Sequence, residues 1–169
     1  MSSLNQSKTL NNLQEAFAGE SQANRTYLAF AKKAEQEGHP QVAKLFRAAA
    51  DAETVHAHAH LRAMEGIKST AENLKSAIAG ETHEFESMYP KMITEATSEG
   101  FDQARKSFTF ANAVEKIHAD LYRKALNGLG SNQALDYYVC QVCGNTLEGE
   151  PHGPCEVCGA AKAAFKKID

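Results

Sequence analysis

The fold is decided by one stretch of the chain, QVAKLFRAAADAETVHAHAHLRAME at residues 41–65. It is rich in alanine and other helix formers, and its apolar side chains recur at steps of three and four, which places them on one face of a helix. That face carries Val42, Phe46, Ala49, Glu53, His56, His60 and Ala63. We therefore expect an amphipathic helix whose apolar stripe is interrupted midway by a carboxylate and an imidazole.

Three further stretches show the same period, so the sequence predicts four long helices. Their expected bounds are Thr9–Glu37, Gln41–Glu65, Thr70–Glu99 and Asp102–Asn127. A glycine follows each of them, which is a common signal for a helix end. The pattern is typical of a mainly α four-helix bundle. Pro90 lies inside the third helix and should kink it, or loosen its hydrogen bonds near Glu84 and Glu86.

The two helix pairs look like duplicates of each other. Ala18-Gly19-Glu20 recurs as Ala79-Gly80-Glu81, at an offset of 61 residues. Further along the offset is 62, since Phe46, Glu53 and His56 recur as Phe108, Glu115 and His118. One residue is therefore inserted in the second pair. Glu84 has Ala23 as its counterpart and is an extra carboxylate.

Seven metal-ligating side chains are expected to meet near the middle of the bundle: Glu20, Glu53, His56, Glu81, Glu84, Glu115 and His118. Neither Lys nor Arg lies near them on the same stripes, and buried carboxylates without a counter-charge are unstable. A glutamate from each of two helices and Glu-x-x-His from the other two form the dinuclear sites of ferritin-like bundles. These ligands suit iron or manganese.

Two of these assignments have plainer alternatives. A glutamate on an apolar stripe is usually a solvated residue at the helix edge, but two Glu-x-x-His copies in register favour a metal site. Tyr27 lies two turns after Glu20 on the same face. It is either a hydrogen-bond donor to a ligand or a metal-bound oxygen, or a residue of the core.

The last part of the chain has a different composition. From Gly128 onward glycine, proline and cysteine concentrate, so we predict a bundle domain at 1–130, a linker at 131–136 and a small module at 137–169. The module contains two Cys-x-x-Cys-Gly knuckles, formed by Cys140, Cys143, Cys155 and Cys158. Four thiolates hold one tetrahedral iron or zinc ion, and so short a module needs the ion to fold.

Charge and hydropathy narrow the class of protein. The net charge is -3, from 18 basic and 21 acidic residues, so no basic excess indicates nucleic acid as a partner. The apolar runs are too short for a transmembrane helix, and the N-terminus lacks the apolar core of a secretory signal. We expect a cytoplasmic protein with no membrane partner.

Several motifs resemble those of the rubrerythrin family over essentially the whole chain. They are AFAGESQA at 16–23, DAETVH at 51–56, AGETHEFESMYP at 79–90, VEKIH at 114–118 and the two knuckles. The resemblance implies a ferritin-like domain with two non-haem iron ions and a rubredoxin-like domain with one iron. Zinc is the alternative ion for the cysteine site when the protein is made in a foreign host. The resemblance also implies a peroxidase that reduces hydrogen peroxide to water in oxidative-stress defence, with electrons from rubredoxin or an NAD(P)H-dependent reductase.

The resemblance assigns a role to each ligand. Glu53 and Glu115 would be the bridging carboxylates. The terminal ligands would be Glu20 and Glu84 at one iron, and Glu81 and His118 at the other. The ligands of the rubredoxin-like site would be Cys140, Cys143, Cys155 and Cys158. His56 would replace Glu84 when the first iron is reduced. Tyr27 would donate a hydrogen bond or proton to a departing oxygen.

The connection between the second and third helices is shorter than in many family members. Residues 66–69 span at most roughly 14 Å, whereas the helices are about 40 Å long. The bundle is therefore either up-down-up-down, or each helix pair packs with the other pair of a second copy. The repeat favours the second arrangement, so we predict a domain-swapped homodimer.

Two other functions share parts of this pattern. A ferroxidase or iron-storage protein has the same di-iron motif but no use for an appended electron-transfer module. A metal or redox sensor would hold zinc in the cysteine module and show no turnover. Peroxidase is the function that uses both sites.

Overall fold

The computed structural model describes Leu4 and residues 7–169 and is mainly α-helical, as predicted. Its helices are α1 (Lys8–Gln36), α2 (Pro40–Ala63), α3 (Thr70–His83), α4 (Tyr89–Ser98) and α5 (Asp102–Asn127). Its strands are β1 (Tyr137–Cys140), β2 (Thr146–Glu148) and β3 (Phe165–Ile168). The predicted helix bounds agree with these to within about two residues, apart from an interruption in the third predicted helix. The described helices include none long and apolar enough to cross a membrane.

The chain divides into two compact units, Met1–Lys68 and Ser69–Asp169. The first unit is a helical hairpin of α1 and α2, begun by the side chain of Ser7, which caps α1. Its buried core is made of small residues, Ala31, Ala34 and Ala43, with Phe46 packed against them. Asn24 of α1 ties the helices together, because its Nδ2 donates to the carbonyl oxygen of Ala50 at 2.6 Å.

In the second unit, α3 and α4 pack along α5. Helix α3 begins at a capping box, in which the side chain of Ser69 and that of Glu72 each bond the backbone of the other. Between α3 and α4 lies a π-helical segment, Glu84–Met88, directly before Pro90. Proline has no N–H to give to the carbonyl of Glu86, four residues earlier, so regular α-helical bonding is lost there. The expected loosening near Pro90 is confirmed.

The π-helical segment also accounts for the change in repeat offset. The offset is 61 at Glu81 but 62 at Glu99-Gly100, the counterpart of Glu37-Gly38. The inserted residue therefore lies between Glu81 and Glu99, which is where the wider π turn accommodates one more residue.

The cysteine module is built on a three-stranded antiparallel sheet in the order β2-β1-β3. Val139 pairs with Thr146, and Cys140 pairs with Phe165. The glycines that follow the knuckles, Gly144 and Gly159, have positive φ angles of 86° and 75°, which glycine adopts at little cost. The predicted division at residues 131–136 stays a prediction.

Candidate metal centres

The first unit places Glu20, Glu53 and His56 together, with one ligand atom of each within 4.8 Å of the others. Nδ1 of His56 lies 2.8 Å from Oε2 of Glu53. The hydrogen bond from His56, and then one from Glu20, lowers the pKa of Glu53. The His56 side chain is 55% exposed, so this cluster, the first half-site, lies at a surface.

The second unit repeats this arrangement with Glu81, Glu115 and His118, also within 4.8 Å of one another. Nδ1 of His118 lies 2.8 Å from Oε2 of Glu115 and 3.9 Å from Oε1 of Glu81. We call these three residues the second half-site. The duplication seen in the sequence therefore extends to the geometry of the Glu-x-x-His pairs.

Like charges crowd the second half-site. Burial, and then the charge of Glu115, raises the pKa of Glu81 to about 7. Glu84, the first residue of the π-helical segment, has its pKa raised by burial and by the charge of Glu115. In a metal-free chain this repulsion is relieved only by holding protons, which a cation would replace.

Glu81 is expected to make the metal-free protein less stable as pH rises. Its pKa is about 7 in the folded chain against 4.5 for the free group, so between these values the folded state holds more protons than the unfolded state. The free energy of unfolding therefore falls as pH rises through this window and levels off above it. Urea unfolding at about pH 5.5 and about pH 7.5 should show the fall, and Glu81→Gln should reduce it. An equal fall in both proteins would contradict the assignment.

The residues present fit a pair of metal ions. In the part of the chain that the structure describes, neither Lys nor Arg forms an ion pair with a glutamate of either half-site or with Glu84; the ion-pair partners seen are His56 and His118. Carboxylate oxygens and imidazole nitrogens therefore converge with no ion-paired Lys or Arg side chain among the described residues. This set of donor atoms suits iron or manganese. The structure brings six of the seven predicted ligands together in two groups of three, one in each unit, and Glu84 lies beside the second group; their roles as ligands stay a prediction.

The four cysteines also fit one ion. All four are free, and their Sγ atoms lie within 4.8 Å of one another. Sγ of Cys140 is 3.7 Å from that of Cys158, and Sγ of Cys143 is 3.5 Å from that of Cys155. A tetrahedron with metal–sulfur bonds of about 2.3 Å has edges of about 3.8 Å, so these separations match a bound ion far better than disulfides.

One thiol of the cysteine module has a lowered pKa, which favours its thiolate form. Burial alone would raise the pKa of Cys155, but N–H groups of Cys158 and Val157, with help from Asn145, lower it to about 6. Burial raises the pKa of Cys143. Cys155 therefore gives up its proton more readily than Cys143 as a metal enters.

Asn145 is a functional candidate that sequence reasoning missed. Its side chain is 2% exposed, its Nδ2 donates to Sγ of Cys155 at 3.6 Å, and its Oδ1 has no partner among the described residues. A buried amide with an unpaired oxygen costs stability. The interaction that remains is the one to sulfur, which favours the more negative, reduced state of an iron site.

Replacing Asn145 by leucine is expected to lower the reduction potential of the cysteine site without loss of stability. The shift should be on the order of 60 mV, a tenfold change for a one-electron couple. Spectroelectrochemistry measures it. The matched control is Gln141→Leu, because the Gln141 amide lies on the same knuckle but donates to the carbonyl of Val139. A shift of equal size in the control would contradict the role of Asn145.

The two tyrosines of the repeat occupy matching places. The ring centroid of Tyr27 lies 6.1 Å from that of Phe46, and the centroid of Tyr89 lies 6.3 Å from that of Phe108. The hydroxyl of Tyr27 forms no hydrogen bond within the described residues, so its role as a donor stays a prediction. Burial, and then neighbouring carboxylate charges, raises the pKa of Tyr89.

Tyr89 is harder to place from the sequence than Tyr27. It follows Glu81 by eight residues, whereas Tyr27 follows Glu20 by seven. Eight residues of a regular α-helix leave a rotation of about 80° between the side chains. The π-helical segment Glu84–Met88 absorbs the extra residue and returns Tyr89 to the carboxylate face. The change of repeat offset was the signal for this.

Comparisons with known proteins give consistent results. A model of the rubrerythrin family matches residues 11–126. Rubrerythrin-2 of Clostridium acetobutylicum is 32% identical, over 97% of this chain and 98% of that protein. Nigerythrin of Nitratidesulfovibrio vulgaris is 36% identical, over 93% of this chain and 85% of that protein.

Solved structures of nigerythrin share the fold. One in a mixed-valence state has a TM-score of 0.58 at 34% identity and covers 96% of this chain and 87% of its own. Another, with the same TM-score, is of fully reduced, all-ferrous nigerythrin. With the cysteine cluster, this likeness confirms the predicted class, a ferritin-like helical region followed by a rubredoxin-like module.

Proposed function

This chain belongs to the rubrerythrin family, and we propose that it is a non-haem di-iron peroxidase that reduces hydrogen peroxide to water. Rubrerythrins are oxidoreductases of oxidative-stress defence that act on peroxide and receive electrons from redox partners. One observation carries the proposal: a single chain holds two matching carboxylate–histidine half-sites and a four-cysteine site. The first two suit a pair of irons, and the third suits an electron-transfer iron.

The proposed ligands follow the family pattern. Glu53 and Glu115 would bridge the two irons, with terminal ligands Glu20 and Glu84 at one and Glu81 and His118 at the other. His56 would exchange with Glu84 on reduction, and its Nε2 has no hydrogen-bond partner among the described residues of its own chain that would hold the ring in place. A neutral imidazole in place of a carboxylate removes one negative charge, which suits a ferrous ion better than a ferric one.

The reaction consumes two electrons and two protons for each peroxide and releases two waters. When bound, the iron pair would supply the electrons for reductive cleavage of the O–O bond, and the four cysteines would hold the iron through which an external reductase or rubredoxin replaces those electrons. The chain's own residues would hold the protons. A tyrosine hydroxyl is protonated at neutral pH, and burial raises the pKa of Tyr89 further, so Tyr89 can donate to an oxygen in the site; Tyr27 would donate from the first half-site.

Steady-state peroxide consumption tests this function. The iron-loaded protein, supplied with electrons by rubredoxin and an NAD(P)H-dependent reductase, should consume peroxide with matching loss of NAD(P)H. The Tyr27→Phe variant should be slower and keep its iron. Rapid oxidation of added ferrous iron by dioxygen, with mineral accumulating in large hollow particles, would instead favour the ferroxidase and storage alternative.

We further propose that a complete centre joins the first half-site of one chain to the second half-site of another. Helix α2 has 24 residues, about 36 Å, while the connection between Ala63 and Thr70 spans at most about 25 Å. The connection is too short for a family-type crossover within one chain. A swapped homodimer would preserve the family's geometry.

Complementation between two inactive variants tests the swapped dimer. One variant carries Glu20→Gln and Glu53→Gln, and the other carries Glu81→Gln and Glu115→Gln. Neither alone should bind the metal pair. Refolded together in equal amounts, they should regain about a quarter of the centres, because half of the dimers are mixed and each mixed dimer has one intact centre. No recovery in mixed dimers would contradict swapping.

A further inference from the structure

The cysteine module meets α5 along one face of β2 and the knuckle before it. Alternate residues make the contacts: Gly144 with Val114, Thr146 with His118, and Glu148 with Lys124. A Cβ on Gly144 would lie 3.7 Å from Cγ1 of Val114, and Lys124 forms an ion pair with Glu148. Side chains two apart on a strand share a face, so these contacts are one docking surface. Its middle contact reaches a member of the second half-site.

The hydrogen bonds of Thr146 determine which nitrogen of His118 carries a proton. Oγ1 of Thr146 donates to the carbonyl oxygen of Gly144 at 3.1 Å and lies 2.9 Å from Nε2 of His118. A hydroxyl has a single proton, and a carbonyl oxygen only accepts. Nε2 must therefore be the donor to Thr146. A second proton lies in the 2.8 Å contact between Nδ1 of His118 and Oε2 of Glu115, and it is the one that a metal at Nδ1 would displace; the lone pair of Nδ1 then faces Glu115 and Glu81, while the proton on Nε2 stays.

His56, the counterpart of His118 in the first helix pair, lacks a hydrogen bond of this kind at Nε2 among the described residues. His56 repeats the Nδ1 contact of His118 at the same 2.8 Å, but its Nε2 forms no hydrogen bond with any residue that the structure describes. Its side chain is 55% exposed, against 27% for His118. The two histidines therefore have matching contacts on their metal-facing side and differ on the opposite side.

We propose that Thr146 is a positioning residue, whose hydroxyl holds His118 in the Nε2–H tautomer with Nδ1 directed at Glu81 and Glu115. The proposal rests on the metal pair of the proposed function. A ligand whose tautomer and ring orientation are fixed in advance loses less entropy when it binds a metal. The anchor belongs to the cysteine module, so a docked module prepares one half-site, and His56 keeps the freedom that ligand exchange needs.

Two variants separate the hydroxyl of Thr146 from its packing. Thr146→Val keeps the shape and removes the hydroxyl, while Thr146→Ser keeps the hydroxyl and removes the methyl group. With zinc in the cysteine site and no metal in the carboxylate sites, nitrogen NMR of the full chain should show a slowly exchanging Nε2–H of His118 in the unchanged protein and in Thr146→Ser. The signal should be lost in Thr146→Val, and the His56 signals should be unchanged in all three.

Metal affinity gives the second readout. With zinc in the cysteine site, Co²⁺ is titrated into the carboxylate sites of each protein. Thr146→Val should weaken the binding about 10- to 100-fold, while Thr146→Ser stays close to the unchanged protein. Equal binding by all three proteins, or equal weakening in both variants, would overturn the proposal. Activity is not measured, so a failure of the peroxidase function would not be mistaken for a failure of this role.

Discussion

Replacing Cys155 by serine is expected to unfold the cysteine module and to lower the iron content from three ions per chain to two. The buried residues of the module are Cys140, Asn145, Pro151 and Cys155, so ligands make up half of its core. Three short strands cannot hold such a module without a metal. Structural tetrahedral ions contribute about 10–16 kcal/mol to comparable small folds.

Iron analysis, visible absorption and NMR of residues 137–169 measure this effect. The matched control is Val142→Ser, which also introduces a serine beside the metal ligands, but at a side chain that is 61% exposed. The control should keep its colour, its third iron and a dispersed spectrum. A folded, coloured module in the Cys155→Ser protein would show that the ion does not hold the module together.

Replacing Glu115 by glutamine is expected to abolish binding of the iron pair while making the metal-free protein more stable. Glu115 accepts from or donates to His118 at 2.8 Å and is a chief source of the charge that raises the pKa of Glu81 and Glu84. Without that charge the repulsion between carboxylates falls. Mutating a residue that hydrogen-bonds to a metal ligand typically lowers metal affinity or activity about 10- to 100-fold. Loss of Glu115 itself, a proposed bridging ligand, should lower the affinity for the iron pair by at least that factor.

The opposite signs of the two effects distinguish a metal ligand from a structural residue. Iron content and peroxide turnover should fall, while the metal-free protein should resist urea better at neutral pH. The control is Glu86→Gln, an exposed carboxylate in the π-helical segment that lies outside the half-sites. Loss of stability in the metal-free Glu115→Gln protein would mean that Glu115 supports the fold rather than a metal.

The helices and the knuckles can be predicted from the sequence because their signals are local. Glu53-x-x-His56 is read from adjacent turns of one helix, and its copy at Glu115-x-x-His118 makes chance improbable. The π-helical segment has a weaker signal, a repeat offset that changes from 61 to 62. The change of offset indicates an inserted residue, and Pro90 indicates where regular helical hydrogen bonding is interrupted.

The roles of Thr146 and Asn145 could not be predicted from the sequence. Thr146 bonds to a histidine 28 residues earlier, and only the docking of β2 on α5 brings the two together. Asn145 contacts Cys155 ten residues on, through a fold that the four cysteines close. Neither residue type is a metal ligand in itself, so no spacing rule selects it. Contacts around ligands depend on tertiary packing, while the ligands themselves follow local patterns.

In the function that we propose, electrons pass from the cysteine site to peroxide within this protein. The direct test is to reduce the iron-loaded protein without oxygen, add one equivalent of hydrogen peroxide, and follow the absorption of the oxidised cysteine-bound iron. We predict that the colour returns rapidly, and much faster than on exposure to air. Colour that returns no faster with peroxide than with air would contradict the claim.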